Sequence, residues 1–156
     1  MALAEVYQIS QTVSSVAVVA SFLFVGFQIR QNIKATRAAS HHAVSEALNR
    51  LNLLWAQESE VTRIWLLGMN DRQALTPVER WRFDSMVRAY LHVCETMYTQ
   101  ADLGAGDPGI VAAEEDGIRM VFSSESVKDW WATNPYGFST DFRKYVDTLI
   151  EAPKLS

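Results

Sequence analysis

Two histidine–carboxylate pairs are the residues whose types and spacing could support chemistry in this chain. His92 and Glu95 are three residues apart and His42 and Glu46 are four apart, so on a helix each pair would share one face. Helical di-metal sites use such spacings, but they combine carboxylates and Glu-x-x-His pairs from several helices. Here the order of His92 and Glu95 is reversed and the sequence has no Glu-x-x-His pair. We therefore predict no metal site.

A structural role is the simpler interpretation of Glu95. Helical spacing places it near Arg88 or Tyr98, where hydrogen bonds would hold a buried carboxylate. An enzyme is the least favoured of three function classes, because its site would have to combine residues that are distant in sequence. The candidates for such a site are His92, Glu95, Tyr98 and Glu115.

The single cysteine, Cys94, does not belong to a nucleophile motif. It is two residues from His92, and residues two apart on a helix point in different directions. A lone cysteine cannot form a disulfide within the chain and is typical of a reducing compartment. The sequence also has no G-x-S-x-G elbow, phosphate-binding loop or dinucleotide-binding motif. We predict no catalytic residue and no cofactor.

The elements that would position these residues are helices. No proline occurs before Thr76, so one helix can run from the N-terminal region to about Glu58, with apolar residues at three- and four-residue steps in its second half. That apolar stripe includes Ile33, Val44, Leu48 and Leu51. A short helix is expected over residues 60–67, ending at Gly68. The sequence therefore predicts an all-α fold, with a compact domain of about four further helices after the long one.

Helix-start signals mark the second half of the chain. Thr76, Pro77 and Glu79 form a capping box with proline at the first helical position. Asp107 before a proline, and Ser139, are expected to cap two later helices. Few stretches alternate with a period of two, so no strands are expected.

The charge distribution separates the first 37 residues from the rest. The chain has 14 basic and 18 acidic residues and a net charge of −4. Residues 1–37 contain three basic residues and one acidic residue, which leaves 11 basic and 17 acidic residues in the remainder. A remainder with a net charge of −6 argues against nucleic-acid binding through phosphate contacts.

The uncharged run from Val6 to Ile29 is the feature that most restricts location. Its 24 residues would span about 36 Å as a helix, enough to cross a hydrocarbon core of about 30 Å. A secretion signal is disfavoured, since Glu5 precedes the run and no small-x-small cleavage site follows it. The core helix of a soluble protein is an alternative, but the apolar residues surround the helix instead of forming one stripe. A transmembrane helix is the favoured interpretation.

Basic residues directly after this run indicate its orientation. Arg30, Lys34 and Arg37 follow without an intervening acid, and positive residues that flank a span stay on the cytoplasmic side. We predict an N-terminus outside the cytoplasm, a span with a basic juxtamembrane segment over residues 1–36, and a cytoplasmic helical domain over residues 37–156.

Small and polar residues recur along one face of the predicted span, which predicts self-association. In hydrocarbon, small faces let helices approach closely and polar groups can hydrogen-bond between helices, whereas unpaired hydroxyl or amide groups are costly. The predicted interface residues are Ser10, Ser14, Ala17, Ser21 and Gln28. The expected partners are a second copy of the chain and the lipid bilayer, with another membrane protein as an alternative and no nucleic acid.

Three stretches of the sequence match motifs of known proteins. They are "VVASFLFVGFQIRQNIKATRAA" with its Q-I-R-Q-N motif at 28–32, "SEVTRIWLLG" at 59–68 and "LTPVERWRF" at 75–83. In these motifs the chain resembles an uncharacterised family of small single-pass bacterial inner-membrane proteins. The chain departs from that family at "ADLGAGDPG", where a tighter turn is usual. The resemblance implies a location in the bacterial inner membrane and implies no activity.

Two function classes follow as the main hypotheses. The first is a homo-oligomeric membrane assembly, in which a ring of polar helix faces would act as a scaffold or line a pore. The second is a membrane-tethered adaptor or regulator whose helical domain binds a cytoplasmic or membrane protein. The size of the detergent-solubilised particle distinguishes the two.

Overall fold

The described part of the chain is built of helices. The structure, a computed structural model, describes residues 3–106, 108–134 and 136–151, and no strand occurs within these ranges. The helices are α1 (Leu3–Gln57), α2 (Ser59–Asn70), a short 3₁₀ helix (Arg72–Ala74), α3 (Pro77–Asp102), α4 (Pro108–Val121), α5 (Glu125–Thr133) and α6 (Thr140–Glu151). The prediction of an all-α fold that begins with one long helix is confirmed.

The chain divides into two compact units, Met1–Ala38 and Ala39–Ser156. The described residues of the first unit all belong to α1. Within the described residues, α1 is the one helix that is long and apolar enough to cross a membrane, by length and composition. Its most apolar part contains no buried residue.

The second unit has a hydrophobic core in which α3 is central. Helix α3 packs against α2, α4 and α6, and α5 packs against α2. The largest fully buried side chains are Trp130, Phe83, Phe142, Ile64, Leu91, Val87, Val127 and Val146. The part of α1 that belongs to this unit contributes three residues of the predicted stripe, since Val44 is buried and Leu48 and Leu51 pack against the core. The fourth, Ile33, belongs to the first unit and is exposed.

The start of α3 follows its sequence signal. The Thr76 hydroxyl accepts a hydrogen bond from the Glu79 amide, and the Glu79 carboxylate accepts one of 2.8 Å from the Thr76 amide. Pro77 is the first residue of the helix. Hydrogen bonds from the Thr76 hydroxyl, the Arg63 guanidinium and the Thr76 amide lower the pKa of Glu79 to about 2. The predicted capping box is confirmed.

Of the other predicted helix boundaries, one differs from the structure and one agrees with it. The prediction that a helix ends at Gly68 is wrong, because α2 continues to Asn70 and Gly68 is instead buried against Phe83. Ser139 caps α6 as predicted, with its hydroxyl 3.3 Å from the amide nitrogen of Phe142. The predicted cap Asp107 lies outside the described residues.

Candidate functional site

The apolar segment of α1 is exposed on every side. Phe22, Leu23 and Phe24 are consecutive, so their side chains point about 100° apart around the helix axis. They are 73%, 71% and 60% exposed. No part of the described chain covers this surface, which sets α1 apart from the core helices of the second unit.

Four hydroxyl groups in this segment are hydrogen-bonded to their own helix. Ser10 donates to the carbonyl oxygen of Tyr7 at 2.9 Å, and Ser21 donates to that of Ala17 at 2.7 Å. Thr12 and Ser15 make the same type of bond, each to the carbonyl four residues earlier. These hydroxyls therefore need no second helix to satisfy them, contrary to the expectation that they would be unpaired in hydrocarbon.

The five predicted interface residues do share one face of α1. At 100° per residue, Ser10, Ser14, Ala17, Ser21 and Gln28 lie within about 60° around the axis. All five are exposed. The Gln28 amide and the Ser14 hydroxyl have no side-chain hydrogen-bond partner within the described residues, so they differ from the four hydroxyls bonded to their own helix. This narrow face, called the small-residue face below, combines small residues with one hydroxyl and one amide that are able to bond between helices.

The three basic residues after the apolar segment lie on another face of the same helix. Arg30, Lys34 and Arg37 are exposed and fall within about 60° of one another around the axis. The centre of this group, called the cationic face below, is about 160° from the centre of the small-residue face. The first unit therefore presents two chemically distinct surfaces in nearly opposite directions.

Glu95 joins two elements of the second unit. One carboxylate oxygen accepts a 2.6 Å hydrogen bond from the amide of Ser139, at the start of α6, and the other lies 3.3 Å from Nδ1 of His92. The His92 ring also contacts the Phe138 ring, with centroids 4.7 Å apart. The expected partners Arg88 and Tyr98 do not bind Glu95; Arg88 donates instead to the carbonyl of Tyr136. Glu95 is a helix-capping residue for α6.

The second histidine–carboxylate pair is not joined. The Glu46 carboxylate lies 2.6 Å from the Arg50 guanidinium, and the His42 side chain is exposed. Among the described residues, no group of three or more His, Cys, Asp or Glu side chains is close enough to hold a metal ion.

Cys94 lies in a buried polar cluster that the sequence did not indicate. The Tyr90 hydroxyl lies beside the Cys94 thiol and the Glu114 carboxyl group, which is half-buried on α4. Burial raises the pKa of the Cys94 thiol to about 12 and raises the pKa of Glu114. A thiol that stays protonated at neutral pH is a poor nucleophile. The sequence signal for this cluster is Gly117, a glycine inside a helix. A β-carbon at this position would lie 2.7 Å from the Tyr90 hydroxyl oxygen, so the glycine makes room for the tyrosine.

An open cavity of about 830 Å³ lies between α4, α5 and α6. Its charged lining residues are Glu115, Asp116, Arg119 and Lys128. The Tyr145 hydroxyl donates to Glu115 at 3.1 Å, Arg119 donates to the Leu149 carbonyl, and Lys128 pairs with Glu125 outside the cavity. The Ser123 hydroxyl also lines the cavity and donates to the carbonyl oxygen of Met120 at 2.6 Å.

Comparisons with family models, curated proteins and solved structures gave no match.

The capping role of Glu95 makes a testable prediction. Glu95→Gln is expected to lower the free energy of unfolding of the second unit by about 1 kcal/mol, because the positive end of α6 loses a carboxylate. Thermal unfolding followed by circular dichroism measures this change. The control is Glu151→Gln, at the other end of α6, which is expected to raise the free energy of unfolding by about 0.3 kcal/mol, because a carboxylate is unfavourable at the negative end of a helix. Elemental analysis is expected to find no stoichiometric metal. If the protein binds one equivalent of iron, zinc or manganese and Glu95→Gln loses it, Glu95 is a metal ligand and the capping role is wrong.

Proposed function

We propose that this chain is a single-pass membrane protein whose copies associate through α1 into a homo-oligomeric scaffold. The observation that carries the proposal is the apolar segment of α1, which is exposed on all sides over residues 13–29. Exposed apolar area is unfavourable in water by roughly 25 cal/mol per Å² and favourable in hydrocarbon. A bilayer covers such a helix on every side, whereas contact with another protein would cover only one side.

Charge supports one orientation of the span. The cationic face follows Ile29 directly, and Glu5 is the one charged residue before it. Basic residues next to a span stay in the cytoplasm. In the proposed topology the Met1 end is translocated and the second unit is cytoplasmic, where a free thiol such as Cys94 persists.

Close packing supports self-association through the small-residue face. The hydroxyls of Ser10 and Ser21 are satisfied within their own helix, so they contribute small volume more than hydrogen bonds. Hydrogen bonds between membrane helices are worth about 0.6 kcal/mol on average, so Gln28 alone cannot account for a stable assembly. Van der Waals contact along the face would supply most of the association.

A membrane-tethered adaptor is the second candidate, favoured by exposed apolar residues on the second unit. Val78 and Trp81 lie one turn apart on α3 and are 67% and 72% exposed. Tryptophan exposed in this way is common where a protein partner binds. An adaptor of this kind would be a monomer in detergent, whereas a scaffold would not.

The oligomer is tested by enlarging the small-residue face. The triple variant Ser14→Leu, Ala17→Leu, Ser21→Leu is expected to stay in the membrane and to dissociate towards the monomer, because three leucines keep two helix backbones apart. The measurement is particle mass in mild detergent, for example by light scattering coupled to size exclusion.

The matched control enlarges the opposite face. Thr12→Leu, Ser15→Leu, Val19→Leu adds bulk about 160° away around α1 and is expected to leave the mass unchanged. A wild type that is monomeric in detergent and in bilayers contradicts self-association and favours the adaptor. An oligomer that survives the Ser14/Ala17/Ser21 variant contradicts this interface.

A further inference from the structure

The cationic face lies on a stretch of α1 that carries no acidic residue. Between Glu5 and Glu46 the sequence has none, so no acid lies one helical turn from Arg30 or Lys34. Cations of the second unit are arranged differently. Those paired with a carboxylate three or four residues away are Arg50 with Glu46 at 2.6 Å, Arg63 with Glu60 at 2.8 Å, Lys128 with Glu125 at 2.7 Å and Lys144 with Asp141 at 3.7 Å.

The axial position of the face matches the phosphate layer of a bilayer. Ile29 ends the uncharged run, so Arg30 marks the edge of the hydrocarbon if α1 spans it. Lys34 is about 6 Å further along the axis and Arg37 about 10 Å further. The headgroup region of one leaflet is about 5–8 Å thick. Arg30 and Lys34 therefore lie at the depth of the headgroups, and Arg37 lies just beyond them.

The angular position of the face directs it towards lipid. The cationic face is about 160° from the small-residue face. If copies associate through the small-residue face, Arg30 and Lys34 point away from the neighbouring helices and into the surrounding headgroups. Because α1 is helical without interruption from Leu3 to Gln57, side chains before and after Ile29 keep this relation.

We infer that the cationic face of α1 is a contact surface for the phosphate groups of anionic phospholipids in the cytoplasmic leaflet. The guanidinium of Arg30 can donate two parallel hydrogen bonds to one phosphate, and Lys34 adds a point charge one turn away. The inference rests on the proposed function, since it requires α1 to span the bilayer. The inference names a class of lipid that the face binds. The tendency of basic residues to stay in the cytoplasm predicts only the orientation of the span and names no lipid.

The test measures lipid preference of the full-length protein in nanodiscs. Spin-labelled phosphatidylglycerol and phosphatidylcholine are compared as probes of the lipid shell around the protein, at low salt and at 1 M salt. Nanodiscs carry the same lipids in both leaflets, so the readout does not depend on orientation. At low salt the wild type is expected to prefer phosphatidylglycerol by about fivefold, and 1 M salt is expected to remove most of this preference.

The decisive variant is Arg30→Gln, Lys34→Gln, which is expected to bring the preference close to one while leaving the particle mass unchanged. The matched control is Arg50→Gln, Lys144→Gln, which removes two exposed cations from the second unit and is expected to keep the wild-type preference. A wild type without preference overturns the inference, as does an Arg30/Lys34 variant that keeps it. Displacement by inorganic phosphate beyond the effect of chloride at equal ionic strength would assign the face to the free anion and overturn the lipid assignment.

Failure of the proposed function gives a different result. A protein that alkaline carbonate extracts from membranes is not inserted, and the proposed span is then wrong. An inserted protein without a preference for anionic lipid contradicts only the lipid inference.

Discussion

A reporter enzyme that works only outside the cytoplasm is expected to stay silent when it is fused after the last residue of this chain. The same fusion with a reporter that works only in the cytoplasm is expected to be active. The reason is the distribution of charge around the apolar segment of α1, with three basic residues directly after Ile29 and Glu5 before Val6. Because a single span has two possible orientations, the expected difference is all-or-none.

A charge-inverted variant is the control for this topology. Glu5→Lys combined with Arg30→Gln, Lys34→Gln and Arg37→Gln reverses the charge difference across the segment and is expected to activate the external reporter in a fraction of molecules. If the external reporter is active on the wild type, the proposed orientation is wrong. If the protein stays in solution without detergent or lipid, the proposed span is wrong.

Gly68→Val is expected to destabilise the second unit by about 3 kcal/mol, the largest stability change that we predict for a single substitution. A β-carbon at this position would overlap the ring of Phe83, which is fully buried at the centre of the core. The ring cannot move aside without displacing its neighbours in a close-packed interior. A loss of this size lowers the midpoint of thermal unfolding by roughly 10 °C or more.

Two further variants separate overlap from backbone effects. Gly26→Val places the same side chain on α1, where no atom lies within 4 Å of the new β-carbon, and is expected to leave unfolding of the second unit unchanged. Phe83→Leu frees part of the space beside position 68, so the double variant with Gly68→Val is expected to lose less stability than the sum of the two single changes. Full additivity would show that overlap with this ring is not the cause.

Local signals in the sequence predict much of the fold because they act within one or two helical turns. The capping box at Thr76 and Glu79 and the cap at Ser139 use bonds between residues three apart. Gly68 shows the limit of such reasoning. A glycine near a helix end suggests a stop, but here the missing side chain makes room for a ring 15 residues later in the chain.

Partners that depend on tertiary packing were not predictable in the same way. Glu95 was expected to bind a neighbour on its own helix, and its bonding partner is the backbone of Ser139, 44 residues away. The contact of Tyr90 with Glu114 joins α3 to α4 and has no pattern within either helix. The spacing of residues in one sequence predicts which side chains are neighbours along a helix. These groups are in contact because different parts of the chain pack against each other.

The self-bonded hydroxyls of α1 have a consequence for how the protein is made. Ser10, Thr12, Ser15 and Ser21 carry their hydrogen-bond acceptors with them, so the helix can enter a bilayer as a lone segment without waiting for a companion. Insertion and assembly then become separate stages, and the second stage obeys mass action in the plane of the membrane. On this view the fraction of assembled chains is set by expression level relative to membrane area, and adding lipid to a purified sample should dissociate it.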